Sequence, residues 1–147
     1  MDFITDLPRS NNCTALRVVI HRFTKMARYI PLEEDKKTAA DLARIFVREI
    51  SRLHVLSRDI VSDRNSRFTS NTWKDFLAVT GIRPRMSTAF HPQTNGQTKR
   101  VNQVIEAYLW PFLNGEQDNW VDLLPMAVHT YNNSVTSATG LTSFYAN

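Results

Sequence analysis

The sequence has little of what would mark a secreted, membrane-bound or cysteine-dependent protein. Its one cysteine, Cys13, cannot close an internal disulfide or build a cysteine-rich zinc site, and it points to a reducing compartment. The four histidines include His54, His91 and His129, too scattered to suggest a zinc site. No run approaches the roughly 18 apolar residues of a membrane span, and the N-terminus has neither a basic nor an apolar leader region. The Asn-x-Ser/Thr tripeptides at Asn12 and Asn132 are therefore read as chance and not as glycosylation sites. Internal repeats and low-complexity tracts are also lacking, which leaves no sign of a solenoid or a tail. The expectation is an intracellular protein, nuclear or cytoplasmic, with no membrane partner and no small-molecule cofactor.

What is present fits one globular domain over residues 1–147. At 42% hydrophobic and 10% aromatic content the chain can bury a proper core, but it is too short for two domains. A formal charge of +4 and a pI near 9.5 favour a polyanionic partner, a modest excess that supports nucleic-acid binding without requiring it.

The chain order begins with three strand patterns. Met1 to Pro8 alternates and stops at proline; Ala15 to His21 is nearly all apolar, as in a strand buried on both faces; Met26 to Leu32 completes a meander. Thr38 with Asp41 three residues later resembles a capping box, and Leu42, Ile45, Phe46, Ile50 and Leu53 share one helical face. Asp59 to Asp63 is a short buried strand for which a parallel neighbour is expected. Asn71 to Val79 is a short helix closed by Gly81, Arg83 to Thr88 a fifth strand, and Ala89 to Gly96 a polar loop. From Gln97, residues Val101, Val104, Ile105, Tyr108, Leu109 and Phe112 line one helical face until Pro111 kinks or ends it. A last helix spans Trp120 to Tyr131.

The chemistry is concentrated between Ile60 and Asn102. Asp63 closes an apolar strand, and a carboxylate at a strand end that faces a helix start is a place for a divalent metal. A bland reading of the same residue is a cap on the following turn. The basic residues Arg64, Arg67, Arg83, Lys99 and Arg100 can contact phosphates, or can simply be a solvated surface.

Three meander strands, a helix, a strand, a helix, a strand and long helices match a ribonuclease-H-like α/β architecture, a five-stranded mixed sheet flanked by helices. Several motifs then lie in order along nearly the whole chain: Met-Asp-Phe-Ile at 1–4, Ile-Val-Ser-Asp-Arg-x-Ser-x-Phe-Thr-Ser at 60–70, His-Pro-Gln-Thr-x-Gly-Gln-Thr-x-Arg-Val-Asn at 91–102, Trp-Val-Asp-Leu-Leu-Pro at 120–125, Tyr-Asn-Asn-Ser at 131–134 and Thr-Gly at 139–140. Together they resemble the integrase catalytic core of gypsy-type LTR retrotransposons, within the retroviral integrase superfamily. The resemblance implies metal-dependent phosphodiester cleavage and DNA strand transfer, with two magnesium or manganese ions held by three acids. It carries the first acid onto Asp2 and the second onto Asp63.

The third acid of that pattern follows the second after 35 intervening residues, and the residue there is Lys99. An ammonium repels the dication that a carboxylate would ligate, so the resemblance implies an impaired site. Glu106 is seven residues further on, roughly 10 Å along the helix, too far to share that metal. The resemblance also implies DNA contacts from Arg64, Arg67, His91, Gln93, Asn95, Lys99 and Arg100, with 91–96 as a loop approaching DNA ends, although a plain helix-entry turn is the bland reading there. Lys99 reads either as an ordinary helix lysine or as a salt-bridge partner of Asp63. Asn65 stands where the family has glycine, in a turn whose left-handed geometry asparagine tolerates. His21 stands where an acid is common and reads as a strand-end residue. The family's N-terminal zinc module and C-terminal DNA-binding module are not found in the sequence, and a homodimer is implied. Three readings follow: a strand-transfer core silenced by Lys99, a residual metal nuclease running on Asp2 and Asp63, and a non-catalytic nucleic-acid-binding or dimerisation module.

Overall fold

Alternation in the first 33 residues and helical periodicity after residue 38 account for most elements of the computed structural model, which describes residues 1–33, 38–52, 57–86 and 93–146. In chain order they are β1 (Asp2–Ile4), β2 (Cys13–Ile20), β3 (Ala27–Glu33), α1 (Ala39–Phe46), a π-helical turn (Val47–Ser51), β4 (Asp59–Ser62), α2 (Ser66–Thr69) and α3 (Asn71–Thr80). There follow β5 (Arg83–Met86), α4 (Gln93–Leu109), a 3-10 turn (Trp110–Phe112), α5 (Trp120–Asn133) and α6 (Ser143–Ala146). They fall into two compact units, one of Met1 with Asp35–Gly96 and the other of Asp2–Glu34 with Gln97–Asn147.

The second unit is built on the antiparallel meander β1-β2-β3. Its register opposes Asp2 to Val18 and Val18 to Tyr29, and directly opposed residues share a face, so these three form one row across the sheet. On that face the core joins Leu16, Val18 and Tyr29 to Val101, Ile105 and Leu109 of α4 and to Trp120, Leu124 and Ala127 of α5. The spacing 101, 105, 109 is one stripe of α4. Pro111 falls in the 3-10 turn that ends this helix. At its N-terminus α5 is tied to the β1–β2 connection: Trp120 Nε1 donates to the Pro8 carbonyl at 2.7 Å and the Val121 N–H to Ser10 Oγ at 3.2 Å. At its other end the buried Asn132 side chain accepts from the Ala27 N–H at 2.9 Å and donates to the Ala27 carbonyl at 3.0 Å, treating the start of β3 as a further strand would. Pro125 lies inside α5 and removes one ladder bond without ending the helix. Arg17 is fully buried on β2, and desolvation lowers its pKa to about 9.

The first unit has its own core. Thr38 caps α1 by accepting from the Asp41 N–H at 3.2 Å, and Leu42, Phe46 and Ile50 are buried as the periodicity requires. Trp73, fully buried, meets Phe46 edge-on with ring centroids 6.1 Å apart and contacts Phe68 at 5.7 Å and Phe76 at 5.3 Å. Gly81 closes α3 with φ of 70°, a conformation that favours glycine. Strands β4 and β5 pair in parallel, Asp59 against Arg83 through Ser62 against Met86.

Three expectations are corrected. The strands form a three-stranded antiparallel sheet and a two-stranded parallel one, not one five-stranded sheet. With β1 three residues long and β4 and β5 four each, these elements sustain short ladders, and the Met1 ammonium donates to the Val61 carbonyl of β4 at 2.5 Å. Helix α4 begins at Gln93, inside the stretch expected to be loop, because Gln-Thr-Asn-Gly can all take helical geometry once the long apolar stripe behind them is packed. The straight continuation of α1 is replaced by the π-helical turn, which still buries Ile50. Leu53, also expected on that face, lies outside the described residues.

Candidate active site

Asp63 follows directly on β4, half-buried, and its Oδ1 accepts the Asn65 N–H at 3.2 Å. Asn65 in turn caps α2 by accepting the Arg67 N–H at 3.1 Å, and Phe68 anchors that short helix in the core. Two successive side-chain caps therefore explain the Asp-Arg-Asn-Ser-Arg-Phe motif locally. Asn65 has φ of −53° and ψ of 139°, so the left-handed turn expected there is not used, and the family's glycine has no conformational counterpart at this position. Arg64 is exposed beside Asp63 and Arg67 is half-buried.

The other sequence-predicted residues lie in the second unit or on α4. Asp2 is half-buried on β1, where its Oδ1 accepts the Phe3 N–H at 2.9 Å. At the far end of its row, Tyr29 donates its hydroxyl to Asn102 Oδ1 of α4 at 2.5 Å. Burial raises the Tyr29 pKa strongly, and Tyr131, Glu106 and Asp2 push it the same way, so the phenol stays protonated and remains a donor. Asp2 and Glu106 thus both act on the Tyr29 hydroxyl. Lys99 lies three residues before Asn102 and Glu106 four after it, which puts them on one stripe of the helix. Both are exposed, whereas Thr98 beside Lys99 is buried. Among the described residues the Lys99 ammonium makes no hydrogen bond or ion pair. Arg100 is exposed. Gln93 and Asn95 lie in the first turn of α4, their side chains outside the described set, and His91 lies outside the described residues altogether.

Sequence reasoning missed Tyr29, Asn102 and the Asn132 clamp. The signal for Tyr29 was its place at an inward-facing position of β3, and for Asn102 a polar residue flanked by the apolar stripe of α4. Below that row is a cavity of about 230 Å³ walled by Ile4, Leu16, Tyr29, Ile105, Trp110 and Trp120, with Glu106 the single ionisable carboxylate among its lining residues.

The residues that the resemblance assigns to a two-metal site supply two carboxylates and a lysine. Two hard cations need shared carboxylate oxygens; Asp2 and Asp63 each have an oxygen engaged by a neighbouring N–H, and position 99 carries an ammonium. No cluster of three or more His, Cys, Asp or Glu residues suited to a metal occurs among the described residues.

No family model matches the chain. It is, however, 39% identical over 144 residues, 98% of its length, to the Transposon Tf2-3 polyprotein of Schizosaccharomyces pombe, and equally to the Tf2-4 polyprotein. The chain is a homologue of the Tf2 retrotransposon polyproteins. It spans 11% of their length. The fold of the chain matches that of solved retroviral integrase catalytic cores. It matches the HTLV-2 integrase catalytic core domain, solved in complex with magnesium, with a TM-score of 0.71 at 18% identity over 98% of this chain and 92% of that one. It matches the BIV integrase core with a TM-score of 0.71 at 19% identity, over 99% and 91%.

Proposed function

We propose that this chain is the catalytic-core segment of a retrotransposon integrase whose DNA strand-transfer site is disarmed by Lys99. The observation that carries the reading is the position of Lys99: it is exposed on α4, one turn before the Asn102 that bonds Tyr29, on the stripe that faces the Asp2 row. An integrase core at this place would present its third acid. A lysine supplies positive charge where a metal ligand is needed, so Asp2 and Asp63 are left as inherited acids without the donor that completes a magnesium or manganese site. DNA remains the partner: Arg64 and Arg67 beside Asp63, and Lys99 and Arg100 on α4, offer exposed or half-exposed cations for phosphates, with Gln93, Asn95 and His91 ahead of them in sequence. The compartment is intracellular, and the core pairs as a homodimer. Among the described residues no helix is long and apolar enough to cross a membrane.

Lys99→Glu tests the reading on a labelled duplex carrying transposon-like ends, with magnesium and with manganese. The unchanged chain is expected to bind but not cleave or join, and the substituted chain to gain cleavage that Asp63→Asn abolishes. Cleavage by the unchanged chain that Asp63→Asn removes would show a working two-carboxylate nuclease and sink the disarmed-site reading.

A further inference from the structure

The turn between β2 and β3 combines three properties that the site above does not use. It is rigid: the His21 N–H donates to the Met26 carbonyl at 2.8 Å, the Lys25 N–H to the His21 carbonyl at 2.9 Å, and His21 Nδ1 meets Thr24 Oγ at 2.7 Å with Thr24 itself buried. It presents Phe23 to solvent at 78% exposure. And it is cationic: Arg22 is exposed, the Lys25 ammonium is folded onto the Arg22 carbonyl at 2.6 Å, and the stretch from Thr14 to Leu32 contains no carboxylate. An exposed aromatic ring between two positive charges on a hydrogen-bonded turn is the composition of a nucleic-acid stacking platform. Its place in the fold points the same way. The sheet register opposes Asp2 to Val18, so the turn begins three residues beyond that row, about 10 Å away at the rise of a β-strand, at the same end of the sheet as Asp2.

We propose that Phe23 stacks on an unpaired base while Arg22 and Lys25 hold the adjoining phosphates, so that the β2–β3 turn captures a single-stranded extension of a DNA end beside Asp2. The inference rests on the integrase-core reading only for the kind of nucleic acid that reaches the turn. An interior paired base has both faces covered and the terminal pair of a blunt end offers only its outer face, whereas an unpaired base can turn a face to the ring, so the extended end is the better stacking partner.

Equilibrium binding of the full chain to a labelled blunt duplex and to the same duplex with an unpaired 5′ extension tests the proposal. Phe23→Ala is expected to lower affinity for the extended duplex by roughly five- to a hundred-fold while leaving the blunt duplex unchanged. Phe23→Trp restores the preference and Phe23→Leu does not. Arg22→Ala weakens both and lowers the slope of log affinity against log salt by about 0.7–0.9. Because Phe23 is exposed, an unchanged melting temperature separates these effects from misfolding. Equal affinity of Phe23→Ala and the unchanged chain for the extended duplex overturns the proposal, as does equal loss on both duplexes or full rescue by leucine. If Phe23 and Arg22 variants bind normally while Lys99→Ala with Arg100→Ala weakens binding, the turn is not a DNA contact, the core reading stands, and a protein partner becomes its better use. If the unchanged chain binds neither duplex, the turn proposal falls together with the assignment of DNA as partner, while the Lys99→Glu experiment still judges the chemistry.

Discussion

Tyr29 links the sheet to α4 by one hydrogen bond, and its surroundings make that bond pH-dependent. Burial first, then Tyr131, Glu106 and Asp2, hold its folded pKa above the ordinary value of about 10. A raised folded pKa means that above pH 10 the unfolded chain loses this proton while the folded chain keeps it. The folded state then binds more protons, and stability falls as pH rises. The contribution is complete below pH 10 and is lost through the alkaline range. Tyr29→Phe is expected to cost about 1 kcal/mol at pH 8, from the lost bond to Asn102, and to flatten the fall in urea midpoint between pH 9.5 and pH 11. Tyr131, also raised by burial, adds slope of the same sign and Arg17, lowered by burial, slope of the opposite sign, and both are left in place by the substitution. A variant with the same alkaline slope as the unchanged chain would show that Tyr29 does not carry the effect. At this scale the sequence was a good guide wherever a residue's role is local: the turn made by Asp63 and the absence of an acid at position 99 could be read directly. The Tyr29–Asn102 bond could not, because it joins positions 73 residues apart and depends on sheet register.

The elements show the same division between local and distant causes. Thr38, Gly81 and Pro111 each end or begin a helix for reasons contained in a few neighbouring residues, and all three were legible. The last helix runs through Pro125 as expected, whereas the π-helical turn after α1 was not legible, since tertiary packing there overrides propensity. Asn132 is the clearest case. Its place in a Tyr-Asn-Asn-Ser motif looked like family signature, yet its side chain satisfies both backbone groups of Ala27 in a buried setting. Asn132→Ala leaves a buried N–H and a buried carbonyl without those partners, at an expected cost of about 2–4 kcal/mol. Asn132→Asp keeps an acceptor for the N–H but faces a carboxylate toward the Ala27 carbonyl, so it should be no milder. Gly81→Ala is the control for a purely backbone effect: no atom lies within 4 Å of the added methyl group, and the cost of about 1 kcal/mol comes from φ alone. Urea titrations order the three variants, and an Asn132→Ala change smaller than that of Gly81→Ala would show that the clamp is not needed to hold β3.

For the whole molecule, connectivity makes the two units unequal. The first is, Met1 apart, one continuous segment of about 60 residues around Trp73; the second is two chain pieces, before residue 35 and after residue 96, around Trp120. If the first unit unfolds, the second must hold together around an open loop of about 60 residues, whose closure costs about 4 kcal/mol of chain entropy. If the second unfolds, the first loses no loop constraint, because its ends become ordinary tails. Core substitutions should therefore have asymmetric effects. Phe46→Ala, in the aromatic cluster of the first unit, is expected to lower the midpoint reported by Trp120 as well as that reported by Trp73. Leu124→Ala, in the core of the second, should move the Trp120 report much more than the Trp73 report. Fluorescence in chains retaining one buried tryptophan at a time, with exposed Trp110 replaced by phenylalanine, reads each unit separately. Coincident midpoints for both reporters in both variants would mean that the chain unfolds as one cooperative block, and the single domain expected from its length would then be the correct description of its energetics even though its contacts divide in two.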